Sequence, residues 1–362
     1  MTTTDAEQTT TAGQVTGTGR TTGTVQATDR DDRRPATLYA LLIADGKVVT
    51  VDTDDGTVHP VADSPNDAPD GVTVIDDTVY WTTMGTPSPA ADGDTTGEPD
   101  FTARNGGLHA VAVTGGTPRD IVPAGGITTG KQLTTDGRGR LYWGDREGFR
   151  VSTCRLDGSD LRDLVVNEDH GDWTDQCVGV ALDLDAGYLY WTQKGPAKGG
   201  RGRILRAPLD LPDGATADAR PDIEVLWEGL PEPIDLEIAD GYLYWTDRGA
   251  EPDGNTLNRA PLPAGGVGAG DGAGAGAGVA EPEILARGFH ETIGLAVDRA
   301  ARVAYVADLG GEIRRVPLDG SDQGVVIAAL GSPVTGLALH RPSYGRCSAT
   351  QNLDLYGQAG RQ

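Results

Sequence analysis

Asp175, Glu232 and His290 are side chains able to hold a metal or move a proton, and they recur at one spacing. Each lies eight residues ahead of an acid, Asp183, Asp240 or Asp298, that closes a short apolar stretch. By the same count Gln176 and Glu291 lie one step inward, and Lys131 and Asp235 share a level deeper still. If equal counts mean equal heights around one axis, these residues ring a funnel mouth. Oxygens of Asp175, Gln176, Glu232 and Glu291 suit a hard divalent cation such as Ca²⁺, with Asp175, Glu232 and Glu291 as its carboxylates. His290 would instead favour a transition metal, or act as a proton carrier oriented by a carboxylate. The catalytic set is then His290, Glu232, Asp175 and Lys131. The plainer reading is solvated rim charge, since loop acids abound in this chain.

Lys131 either forms a salt bridge to Asp235 or anchors an anionic or carbonyl ligand, with Gln132 beside it as a ligand-binding position. His170 and Trp173, in a polar loop just ahead of Asp175, join that set, because a Trp in such a loop often marks a binding surface. Residues 195–203, flanked by Lys194 and carrying Lys198 and Arg201, form a basic island that could steer an anion to the funnel.

The elements that must position these residues repeat. Tyr80-Trp81-Thr82, Tyr142-Trp143-Gly144-Asp145, Tyr190-Trp191-Thr192, Tyr244-Trp245-Thr246-Asp247 and the degenerate Tyr305-Val306-Ala307-Asp308 each follow an apolar stretch and precede a loop. Internal repetition at this period indicates one closed or stacked array. Short β-branched and aromatic runs between Gly, Asp and Pro turns read as strands. The clearest unit predicts strands at 178–183, 188–193, 203–209 and 223–227, with Asp185-Ala186-Gly187 as a tight turn. Similar units span 71–123, 131–166, 233–287 and 292–330. Residues 37–62 supply a second, third and fourth strand without a first, and 334–340 read as the missing one. The expected fold is all-β: a six-bladed β-propeller of four-stranded antiparallel blades, the first blade closed by the C-terminal strand.

Leu141-Tyr142-Trp143-Gly144-Asp145-Arg146 leading to Arg155-Leu156-Asp157-Gly158-Ser159-Asp160 resembles the YWTD repeats, the class B repeats of low-density-lipoprotein receptors. The Leu-Asp-Gly-Ser-Asp half recurs at 318–322. The resemblance spans about 37–341 and implies six blades, with Tyr and Trp packed between sheets and Asp145, Asp247 and Asp308 bracing backbone or arginines. Val306 for Trp, Gln193 for Asp and the Trp-less Leu38-Tyr39-Ala40-Leu41 depart from the pattern. The resemblance implies a binding module; the receptors' disulfide-rich flanking modules and membrane tethers have no counterpart here.

The 362-residue chain has net charge −24. Such acidity argues against nucleic acid, whose phosphates need a basic footprint. No apolar run approaches the ~18 residues of a membrane span. The polar, Thr-rich start is no signal peptide, and Cys154, Cys177 and Cys347 have neither metal-type spacing nor an even count. A cytoplasmic protein is expected, with a disordered arm (1–35), a propeller (36–343) and a polar tail (344–362). The 84–106 insertion reads as a lid or a disordered loop, and the Gly-Ala run at 268–278 as a spacer. Two functions stay open: a rim that binds a protein segment or small molecule, and a small-metabolite enzyme in the funnel, either a metal-assisted lactonase or hydrolase or an acid/base isomerase.

Overall fold

The computed structural model describes residues 36–65, 67–88, 99–263 and 279–341. The Thr-rich arm, the centre of the 84–106 insertion, the Gly-Ala run and the polar tail lie outside them. Among the described residues every regular element is a strand, and no helix is long and apolar enough to cross a membrane. The strands form six four-stranded antiparallel sheets, one per blade. Blades 2 to 6 are continuous in sequence, with inner strands Pro69–Ile75, Gly130–Thr135, Cys177–Asp183, Pro233–Ala239 and Thr292–Asp298. Blade 1 takes its inner strand from the chain's far end, Val334–His340 pairing with Thr37–Leu42. The expected closure is therefore present, and it gives the sheet edge at the N-terminal blade a partner.

The repeat residues explain why the blades stack. Trp81, Trp143, Trp191 and Trp245 are each at most 1% exposed, so the aromatic payload sits between sheets. The threonine after Trp stitches neighbours together. Thr82 Oγ1 accepts from Gly71 N at 3.0 Å in its own blade and donates to Lys131 O at 2.7 Å in the next. Thr192 and Thr246 repeat the clasp, donating to Ile234 O at 2.8 Å and Ile293 O at 2.7 Å. In blade 3 the position is Gly144, where a Cβ would lie 2.3 Å from Val178 O. Asp145, Asp247 and Asp308 each accept backbone N–H groups from the loop entering their own inner strand, as at Thr128 and Thr129, Glu232, and His290. The signature residues are scaffold.

Candidate funnel and loop-bearing rim

Each inner strand carries a register shift between its first and fourth residues, and pairing with the Trp position fixes true equivalence. Leu133, Val180, Leu236 and Leu295 all face the Trp or its replacement. Lys131 therefore matches Asp70, Val178, Ile234, Ile293 and Thr335, while Asp235 matches Gln132 one residue deeper. The expectation that Lys131 and Asp235 share a level is corrected by one residue. In blades 2 and 5 the reference acids Asp76 and Asp240 lie beyond the strand ends, in left-handed turn backbone at φ 50° and 49°. A single-residue slip redirects every side chain of a strand.

At the Lys131 level, the ammonium pairs with Asp70 rather than Asp235, and it also lies 3.4 Å from Met84 Sδ. Burial lowers the Lys131 ammonium below its ordinary value, Asp70 opposes the shift, and Arg146 and Arg248 add to it. One level down, four blades have glycine: Gly71, Gly179, Gly294 and Gly336. A Cβ on Gly179 would sit 2.1 Å from Ile234 O, so the inner strands approach too closely for a side chain. Blades 3 and 5 place Gln132 and Asp235 there. Gln132 Oε1 accepts from Val180 N (2.8 Å) and Leu236 N (2.9 Å), and its Nε2 donates to Leu236 O (2.7 Å). Gln132 is thus a structural clasp across three blades, not an open ligand-binding position. Asp235 is buried, with Oδ1 unpartnered among the described residues. Burial raises its carboxyl well above the ordinary range, with Asp70 reinforcing and Lys131 opposing. Deeper again, Glu237 accepts from Val297 N at 2.7 Å, and burial pushes it up to about 8.

The expected acid ring does not form an open metal site, because the basic island neutralises it. Arg203 pairs with Asp175, Lys194 with Glu232 (3.3 Å), Lys198 with Glu291 (3.0 Å), and Arg201 with Asp172 (3.0 Å). Glu232 is fully buried and also accepts from Arg248 Nε at 2.7 Å and Lys198 N at 2.9 Å. Asp175, Glu232 and Glu291 therefore face different cations instead of one another. Three apparent metal ligands, Asp175, Glu232 and Glu291, and one apparent anion-steering loop are the two halves of a single clamp. His290 lies apart, its ring exposed and 3.7 Å from Asp308. Among the described residues the one His/Cys/Asp/Glu group with donor atoms within 4.8 Å of one another is His290, Asp308 and Glu312. Both Asp308 oxygens already accept backbone N–H groups, from His290 and Glu312.

Gln176 is buried at the mouth, while His170 and Trp173 reach solvent. The loop carrying them is pinned by Asn167 Nδ2 donating to Asp175 O at 2.8 Å and by the two arginine pairs at Asp172 and Asp175. Behind the rim opens a cavity of about 320 Å³, lined by Asp70, Lys131, Arg146, Arg248 and Glu291 together with apolar groups including Met84 and Phe101. Asp70, Met84, Arg146 and Arg248 were not singled out from the sequence. The last three share a simple signal, since each lies three residues after a repeat Trp.

No family profile matches the chain. A protein of Pyricularia oryzae named low-density lipoprotein receptor-related protein 1 is 38% identical over 307 residues, covering 81% of this chain and 92% of that protein. The chain belongs to the YWTD-repeat propeller family. A second relative of this YWTD propeller, from Cochliobolus heterostrophus, is named 3-hydroxyacyl-CoA dehydrogenase-like protein LAM1. It is 39% identical over 282 residues, 75% of this chain, which spans 56% of that relative. Among solved structures, a chain of a nidogen/laminin complex matches at TM-score 0.58 and 16% identity, covering 84% of this YWTD propeller and 98% of itself. At that identity the likeness speaks to the fold.

Proposed function

We propose that this YWTD propeller is a binding module that engages a protein segment on its loop-bearing rim, around Trp173. The observation that carries the reading is the contrast in exposure: Trp173 is 43% exposed, while the four repeat tryptophans are buried. A large aromatic held on a loop already fixed by hydrogen bonds gives contact area at little ordering cost. The net charge of −24 favours a basic segment as partner and disfavours nucleic acid. A relative named as receptor-related, and a similar fold solved in a complex with another protein, fit this direction. A cytoplasmic setting is part of the proposal. It accords with Cys154 and Cys177, two buried free thiols whose burial raises both above the ordinary thiol value.

The test is a photo-crosslinking residue placed at position 173, with position 325 as control. Val325 is also exposed, at 57%, but lies on the outer strand of blade 6. The proposal expects one discrete protein adduct from 173 and none from 325, with the purified partner binding Trp173→Ala at least tenfold more weakly. Equal adducts from both positions would refute it.

The enzyme reading retains one specific observation, the buried carboxyl of Asp235 one level below the Lys131–Asp70 pair, which are groups suited to acid/base work. Turnover of a lactone or keto acid that is lost in Asp235→Asn with the fold intact would favour it.

A further inference from the structure

The residue that follows each second strand points to the same ring at the funnel mouth, and its chemistry divides in two. Blades 3, 4 and 5 place Arg146, Lys194 and Arg248 there; blades 6, 1 and 2 place Leu309, Ile43 and Met84. All but Lys194 line the cavity of about 320 Å³, which lies at the small end of the roughly 300–1,000 Å³ typical of ligand pockets. We infer that the funnel is a binding site for a small amphiphilic carboxylate, an anion carrying one apolar chain or ring. The inference stands independently of the rim reading.

On the cationic side Glu232 holds both Arg248 and Lys194. Arg146 donates Nε to Glu147 at 2.6 Å, and among the described residues its two terminal amino groups make no hydrogen bond. A guanidinium that lines a cavity and has both terminal donors unused among the described residues matches a planar carboxylate. A dianion fits less well, because Asp70 and Glu291 line the same space. The body of the ligand would lie against the opposite side. Ile293 lines the cavity and clusters with Val178, Ile234 and the partly buried Leu309. Phe101 and Met84, both buried, form a second apolar cluster with Ala68 and Ile43 that also lines the cavity, the Arg146 guanidinium lying 5.8 Å from the Phe101 ring. One charged wall and one apolar wall select a molecule with both characters, since each half alone leaves the other side of the pocket poorly matched. Asp235 lies beneath, and burial holds its carboxyl toward the neutral form, so it adds little repulsion to an anion above it.

The test titrates the full chain with octanoate, octan-1-ol, octylamine and acetate, by calorimetry or ligand-observed NMR. The inference expects saturable octanoate binding at one site, at least tenfold weaker binding of the alcohol and the amine, and weaker binding still of acetate. Arg146→Gln should weaken octanoate at least tenfold and leave the alcohol unchanged. Leu309→Asp, at a partly exposed position, should weaken both, and circular dichroism with melting curves confirms that each variant folds. Trp173→Ala should leave octanoate binding intact; a loss there would place the anion on the rim and overturn the assignment. So would absence of saturable octanoate binding, an alcohol that binds as tightly as the acid, or full affinity in Arg146→Gln.

Discussion

The two arcs of the funnel mouth occupy the same repeat position yet have opposite chemistry. In blades 3 to 5 the position holds Arg146, Lys194 and Arg248, each within reach of a carboxylate; in blades 6, 1 and 2 it holds Leu309, Ile43 and Met84. The preceding Tyr-Trp pair is scaffold, set by packing between sheets. The residue three positions after the Trp lies beyond the end of the second strand, so the repeat no longer dictates its type. Departures from symmetry at such a place are therefore where this propeller's particular chemistry is recorded. The glycine ring below teaches the same lesson, with Gln132 and Asp235 as its two exceptions.

The sharpest way to break the comparison is Glu232→Leu. It leaves Lys194 and Arg248 buried without their shared carboxylate, and losses of this kind cost about 3–5 kcal/mol. Urea unfolding should show it, and a loss below about 1 kcal/mol would mean the cationic arc is solvated rather than clamped. On the apolar arc Met84→Ala removes a side chain that is 4% exposed, with an expected cost of about 2 kcal/mol, at the lower end for buried methionine because Met84 borders a cavity.

Next comes pH. Glu237 is held up to about 8 in the folded protein against an ordinary value of 4.5. The folded state therefore keeps a proton that the unfolded state has released over that window, so this group's contribution is fully present below about 4.5 and is lost as pH rises through about 8. Asp247, held up to about 7 mainly by burial, acts with the same sign. Glu237→Gln should flatten the fall in stability across the window, by at most about 1.4 kcal/mol per pH unit for one proton. Melting curves at successive pH values read this directly, and an unchanged slope would contradict the shift. The smallest effect belongs to Lys198→Ala, whose partner Glu291 is half exposed: a loss of about 0.5 kcal/mol or less. A much larger loss would show that the loop relies on this outer pair rather than on buried Glu232.

The fold was legible because its signals are local and repeated. The second strand Tyr188–Gln193 and the closing strand Val334–His340 match the sequence-based bounds. The site was legible only in part. The acids at the strand ends are an uneven ruler for height, because two residues separate Ile75 from Thr78 and Ala239 from Tyr242, whereas four separate Asp183 from Tyr188. Counting from the Trp position, which the packing fixes, places Asp70 beside Lys131 and Asp235 beside Gln132. The pairing of residues 194–203 with Asp172, Asp175, Glu232 and Glu291 was not readable, because it joins three blades through contacts with no sequence proximity. In the sequence the acids and the cations read as separate sites.

Residues 194–203 clamp the acids of the funnel mouth into a rigid rim. Amide hydrogen exchange at Lys198 and Gly200 tests it most directly, because Lys198 N donates to Glu232 Oε2 at 2.9 Å and Gly200 N to Pro231 O at 3.2 Å. Protection at both amides in the parent, lost at Lys198 in Glu232→Leu, is the predicted result; exchange at the unprotected rate in the parent would contradict the clamp.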